Sequence, residues 1–253
     1  MMAKVITFSN QKGGVAKTTS SVMTAAGLVN RGYSVLLIDL DPQRSATAYV
    51  TDNFKTAAGT IYDIIVGNCS VEDAIEVKTD FGDLIPSSQE MYDPEVLQTN
   101  PFGIKDIVEK VREKYDFIII DTPPTLSLLQ LAALVATDFV VIPTKATKES
   151  IRGVGDLVQT IEENREYNPK IQVLGFLVVM SNRRVRAVKK ITEQLEEYAE
   201  NIGSKVFKSQ IRTGEGIFGE AEIFHDNIFI MKKSNNATKD YERFIDELLA
   251  EVL

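Results

Sequence analysis

Apolar runs recur along the chain, separated by stretches in which apolar positions return every three or four residues. Val5-Ile6-Thr7-Phe8, Val35-Leu36-Leu37-Ile38, Phe117-Ile118-Ile119-Ile120, Phe139-Val140-Val141-Ile142 and the run 173–179 are near-continuous rather than alternating. That is how strands covered by helices on both faces read. Between them the periodicity predicts helices near 18–31, 104–114, 126–136, 148–166 and 185–202, with Gly32 stopping the first. This alternation predicts one α/β domain over residues 1–253: a twisted, mostly parallel sheet with helices on both faces and right-handed crossovers. Residues 50–100 are less regular. There, 60–67 and 71–77 read as short helices, and Asp83-Leu84-Ile85-Pro86 as an additional strand. In 238–253, Tyr241, Phe244, Ile245, Leu248, Leu249 and Val252 keep helical spacing above a mainly acidic face. A terminal helix docked on the core is expected, since a membrane-surface helix would be basic.

Composition then removes whole classes of function. With 253 residues the chain can bury one large core, and its net charge of −8 means that any polyanion must be met by a local basic patch. Cys69 and His225 are the only residues of their types, which leaves no disulfide framework and no Cys- or His-based metal cluster within one chain. Cys69 is expected as a small, at least half-buried filler, and His225 as a solvent-facing turn residue. No apolar stretch approaches the roughly 18–20 residues of a membrane span. The first strand begins too early for a signal peptide. A soluble, cytoplasmic protein without a membrane partner is the expectation.

The candidate chemistry lies in Asn10-Gln11-Lys12-Gly13-Gly14-Val15-Ala16-Lys17-Thr18-Thr19, directly after the first strand and opening a helix. An ordinary phosphate-binding loop has glycine six residues before its lysine and another just before it. Gln11 and Ala16 stand there instead, so the strict pattern fails. The physics survives. Gly13 and Gly14 allow backbone angles that turn successive N–H groups towards a phosphate. The helix that follows adds free N–H groups and a partial positive charge. Lys17 is placed to reach terminal phosphates and the Thr18 hydroxyl to ligate Mg²⁺. Taken alone, the tract also reads as an ordinary strand-to-helix turn.

Two carboxylate motifs, Asp39-Leu40-Asp41-Pro42-Gln43 and Asp121-Thr122-Pro123-Pro124, each follow an apolar run. This puts them at the sheet edge where ligands of open α/β folds collect. A carboxylate there holds Mg²⁺ or its waters, or positions an attacking water. Singly, such an Asp is often only a helix cap. The three elements in this order favour a nucleotide site.

Together, Lys-Gly-Gly-x-x-Lys-Thr-Thr, Asp-x-Asp-Pro-Gln and Asp-x-Pro-Pro resemble the signatures of the ParA/Soj family of deviant Walker P-loop NTPases, within the ParA/MinD superfamily. The similarity runs over nearly the whole chain. It implies an ATPase using ATP and Mg²⁺, with the nucleotide cradled by Lys12, Gly13, Gly14, Val15, Ala16, Lys17, Thr18 and Thr19. It further implies that Lys12 crosses a homodimer to the partner's nucleotide, and that Lys17 binds the β/γ-phosphates. Thr18 ligates Mg²⁺ with support from Asp39 and Asp121, while Asp41 orients the attacking water. ATP is sandwiched between two subunits and hydrolysis releases them. Two departures stand out: Arg44-Ser45-Ala46 replaces the Gly-Asn-Ala frequent in relatives, and Gln210-Ile211-Arg212 replaces their Ile-Pro-Arg near the adenine. Met180 ends a strand where the family lines the base pocket; a buried core methionine is the equal alternative.

Arg183, Arg184, Arg186, Lys189 and Lys190 fall within eight residues that contain no acid. For a helix starting near Arg184, Arg186 and Lys190 share a face. The segment reads either as a solvated helix face or as a polyanion contact. The resemblance favours nonspecific double-stranded DNA, because ParA-like dimers bind it through basic residues of their C-terminal half. It also implies a ParB-like centromere-binding partner, a nucleoid-associated location, and a role in plasmid or chromosome partition. The competing reading is a MinD-like ATPase that positions a different cargo.

Overall fold

In the computed structural model, residues 2–93, 96 and 100–253 are described. The first apolar run forms β1 (Lys4–Phe8), and a Gly-containing loop leads into α1 (Lys17–Val29), where Gly32 with φ +87° turns the chain into β2 (Val35–Asp39). After α2 (Ser45–Val50) and α3 (Ile61–Ile65) come β3 (Glu76–Thr79) and β4 (Gly82–Ile85). A single 3₁₀ turn at Gln89–Tyr92 precedes α4 (Gly103–Val111), β5 (Phe117–Asp121), α5 (Leu128–Ala136) and β6 (Phe139–Lys145). The chain continues through α6 (Lys148–Asn164), β7 (Gln172–Val179), α7 (Arg186–Asn201), α8 (Glu215–Phe224), α9 (Ile228–Met231) and α10 (Asn236–Val252).

The seven strands lie in the order β3-β4-β2-β5-β1-β6-β7, and every neighbouring pair is parallel except β3–β4. The expected mostly parallel sheet is therefore present. Alternate strand residues feed opposite faces, as the period of two requires. Ile6, Phe8, Leu37 and Ile119 join the cluster under α1, α8 and α10. Val5, Leu36, Ile38 and Ile118 join the one under α4 and α5. A third cluster lies between β6, β7, α6 and α7.

The amphipathic C-terminal segment docks as expected, burying Tyr241, Phe244, Ile245, Leu248 and Val252. It lies against α1 so closely that a Cβ on Gly27 would collide with Ile245 Cδ1, and α9 brings Phe229 Cζ within 3.0 Å of the same point. Overpacking a tight core costs about 1–3 kcal/mol. Gly27→Val is therefore expected to lower stability by that amount, read as an earlier urea midpoint at an unchanged slope.

Two expectations need correction. Residues 71–74 form turns rather than a helix, and Glu76–Thr79 is an edge strand antiparallel to β4. Tertiary contacts decide this: the buried Glu76 carboxylate accepts N–H bonds from Lys55, Thr56 and Ala57 at 2.7–3.0 Å. Gly82, at φ +97°, closes the turn between the two strands. The basic helix expected near 185–202 is present as Arg186–Asn201, with Arg183 and Arg184 in the turn before it. His225 does occupy a turn, but it is half-buried, with Nδ1 on the Tyr49 carbonyl (3.2 Å) and Nε2 on Asp52 (3.1 Å). Cys69 is half-buried, as expected.

Both margins of the sheet are occupied. Segment 55–57 binds Glu76 on β3, and segment 205–211 runs beside β7 through backbone bonds at Phe176, Phe207 and Ile211.

Candidate nucleotide site

The carboxyl ends of β1, β2 and β5 coincide in register, with Phe8 opposite Asp121 and Asp121 opposite Asp39. The motifs predicted from sequence thus meet at one edge. Asn10 fixes the loop after β1: its Nδ2 donates to the Pro143 carbonyl (2.8 Å) and its Oδ1 accepts from Lys12 N (2.9 Å). Gly14 has φ +68° and Ala16 φ +53°. Ala16 thus keeps the left-handed turn at the place where the ordinary loop has glycine, at a cost of about 1–2 kcal/mol. Gly13 does not use a positive φ, contrary to expectation, and a Cβ there would meet only Pro124 Cβ at 4.0 Å.

Lys17 is only 7% exposed, and burial lowers its pKa while Asp121 and Asp41 raise it through their fields. Among the described residues none hydrogen-bonds or ion-pairs its ammonium. A buried cation with open valences suits an anionic ligand. Thr18 Oγ1 donates to Asp121 Oδ2 (2.8 Å), and Ser21 Oγ to Asp121 Oδ1 (2.8 Å). Val15 is buried and Thr19 half-buried beside it.

Asp39 is fully buried and builds the loop that follows it. Its Oδ2 accepts Thr47 N (2.8 Å) and Thr47 Oγ1 (2.7 Å), and its Oδ1 accepts Asp41 N (3.0 Å). Burial pushes the pKa of Asp39 up; burial and then the Asp39 charge do the same to Asp121. Two facing carboxylates of this kind are relieved by a cation. Among the described residues no group of three His, Cys, Asp or Glu is placed to hold a metal. A magnesium ion would therefore draw ligands from Thr18, nucleotide phosphates and water, as that ion normally does. Asp41 is 7% exposed, accepts from Gln43 N (2.9 Å), and has its pKa raised by burial. Arg44 follows at φ +61°, a left-handed conformation that glycine adopts more readily than arginine.

Lys12 leaves the cradle. Its ammonium donates to the Glu149 carbonyl, and its chain lies over Gly153 of α6, where a Cβ would meet Lys12 Cε at 2.7 Å. Met180 directly follows β7 at φ +50° and is 37% exposed, which removes the buried-core alternative. Arg183, Arg184, Arg186, Lys189 and Lys190 are all exposed. Only Arg183 among them has a side-chain bond, to the Lys208 carbonyl (3.0 Å).

Sequence reasoning missed Thr47, Ser21 and Asn10. Asn10 carried a signal, since Asn two residues before a backbone N–H forms local turns. Thr47 and Ser21 carried none, because their carboxylate partners lie across the fold.

An AAA domain family model matches residues 3–173. The chromosome-partitioning ATPase Soj of Thermus thermophilus is 33% identical over 256 aligned residues, covering 100% of this chain and 98% of the relative. A putative plasmid partition protein of Borrelia burgdorferi, solved with AMPPNP, superposes at a TM-score of 0.79 with 25% identity and 100% coverage of both chains. Cobyrinic acid a,c-diamide synthase of Mycobacterium smegmatis, solved with an ATP analogue and magnesium, gives a TM-score of 0.81 at 25% identity, covering 98% of this chain and 94% of the other. With its two-lysine loop, its paired carboxylates and this full-length likeness, the chain belongs to the Soj/ParA family of partitioning ATPases.

Proposed function

We propose that the chain is an ATP-driven switch for plasmid or chromosome partition. It dimerises on ATP with Mg²⁺, binds nonspecific double-stranded DNA as that dimer, and is stimulated by a ParB-like centromere-binding protein at the nucleoid. The observation that carries this reading is the division of labour between two lysines of one loop. Lys17 is buried and unpaired within the cradle, whereas Lys12 is half-exposed and rests on a backbone carbonyl outside it. A lysine so weakly committed to its own subunit is free to serve a partner's phosphates. Magnesium at Thr18, with Asp39 and Asp121 behind it, would neutralise charge on the terminal phosphates. Asp41 then orients water and Met180 borders the base.

The DNA surface assigned to this dimer is Arg183, Arg184, Arg186, Lys189 and Lys190. Several other cations of the C-terminal half are committed: Lys205 pairs with Glu251, Arg212 and Arg243 with Asp240, and Lys232 with Glu220, whereas Lys208 and Lys233 lie exposed as further candidates. Dimerisation doubles the free patch against an acidic background, so binding should require ATP. Arg186→Ala/Lys190→Ala is expected to lose DNA binding, with ATP-dependent dimerisation intact. Anisotropy on two unrelated duplexes and sedimentation check this pair of outcomes. Wild-type protein that binds no DNA in any nucleotide state would reject partition and favour a MinD-like cargo. No helix among the described residues is long and apolar enough to cross a membrane.

A further inference from the structure

His225 closes α8 in a left-handed conformation, φ +53° and ψ +38°, with its own N–H on the Glu222 carbonyl and Asp226 N on the Ala221 carbonyl. A helix end of this kind favours glycine, because a Cβ there costs free energy. The imidazole is what glycine could not supply. Its Nδ1 lies 3.2 Å from the Tyr49 carbonyl oxygen, which can only accept, so Nδ1 donates. Nε2 lies 3.1 Å from Asp52 Oδ2.

Tyr49 stands in the last turn of α2, where carbonyls run out of helical donors. Asn53 N would bond the Tyr49 carbonyl in a longer helix, but it donates to Thr51 Oγ1 (3.0 Å). His225 supplies the missing donor. The same tyrosine is held a second time, for its hydroxyl donates to the Phe218 carbonyl of α8 (3.1 Å). The helix α8 is itself fixed. The Phe218 ring packs edge-on against Tyr241 of α10 with centroids 5.6 Å apart, and the Tyr241 hydroxyl shares a 3.0 Å hydrogen bond with Ser20 Oγ of α1. At its other end, α2 opens directly from the loop that carries Asp41. Thr47 N and Oγ1 donate to Asp39 Oδ2, and Asp39 Oδ1 accepts Asp41 N. A helix of six residues has little stability of its own, so these two pins set where it lies.

We propose that His225 is a positioning residue for ATP hydrolysis: by fixing the far end of α2, it holds the loop that presents Asp41. The inference rests on the reading of Asp41 as the group that orients water. The imidazole acts through the Tyr49 carbonyl. Asp52 adds little, because its side chain is 71% exposed and surface ion pairs are weak.

The test uses the full chain with ATP and Mg²⁺, comparing single-turnover hydrolysis with equilibrium binding of a fluorescent ATP analogue. His225→Gly removes the imidazole and gives the backbone a residue that prefers its angles, so the fold is expected to persist. The rate is expected to fall about 3- to 10-fold, the scale of one lost hydrogen bond, at unchanged ATP affinity. His225→Asn is expected to recover most of that loss. Its Nδ2 hangs from Cγ as Nδ1 does in histidine, and asparagine tolerates the left-handed turn. Added to Asp41→Ala, His225→Gly is expected to cause no further loss, since nothing remains for it to position. A wild-type rate in His225→Gly, no recovery in His225→Asn, or the same fold-loss in the Asp41→Ala background each overturns the proposal and leaves the role of Asp41 in place. A fall in ATP affinity that matches the fall in rate assigns His225 to nucleotide binding, and also overturns it. Undiminished hydrolysis by Asp41→Ala alone would instead remove the reading on which the inference rests.

Discussion

Lys17→Ala is expected to abolish measurable ATP binding while leaving the nucleotide-free fold at least as stable as wild type. A charge-assisted hydrogen bond is worth about 1.5–3 kcal/mol, and a terminal phosphate accepts more than one from this residue's surroundings. The backbone N–H groups of the loop cannot replace a full positive charge at that point. The stability half of the expectation comes from burial. Lys17 is held with its pKa lowered chiefly by desolvation, so its charged form is disfavoured in the folded chain until an anion arrives. Removing it relieves that cost. Binding of a fluorescent ATP analogue and thermal unfolding without nucleotide check both halves. A folded variant with near-normal affinity takes Lys17 out of the site.

Asp41→Ala should separate binding from hydrolysis. Its carboxylate makes one hydrogen bond, with Gln43 N, and the loop that carries it is anchored independently through Asp39 and Thr47. The loop should therefore keep its course without the Asp41 side chain. A positioned acid–base group contributes about 10²–10⁴ to a rate, and a loss in that range is expected in single-turnover hydrolysis. ATP binding should persist, and sedimentation should show a long-lived dimer. A monomer with ATP bound would assign Asp41 to assembly rather than to water.

The sequence exposed the central architecture because buried parallel strands leave little choice of residue. Val35–Ile38 and Phe117–Ile120 could serve only as core, and each delivered an Asp to the edge at its end. The strand order was not legible, since crossovers set it and no residue pattern reports which strands become neighbours. Glu76 shows a second kind of failure. A charged residue beside Val77 reads as a helix face, yet its carboxylate is buried by a loop twenty residues earlier in the chain. The helix α8 was hidden by Gly214, Gly216 and Gly219, which oppose a helix locally. Packing of Ile217, Phe218 and Ala221 on the core overrides them. At the nucleotide site, spacing displayed Lys17, Thr18 and Asp41, whereas Thr47 and Ser21 act through carboxylates met only on folding. The meeting of Arg212 and Arg243 on buried Asp240 was unreadable for the same reason.

The occupied margins of the sheet bear on growth. An unpaired strand edge is a template on which further chains add by backbone hydrogen bonding, without regard to side chains. Here β3 is four residues long, interrupted in register, and flanked by the segment that binds Glu76. On the far side, Phe176, Val178 and Ser181 already spend backbone groups on residues 205–211. Neither margin offers a long vacant ladder. Any filament or higher array built from this chain would then have to grow through side-chain contacts between helices and loops. Such joints are specific to sequence, are individually weak, and can be broken again by a change of nucleotide, as amyloid-like stacking cannot.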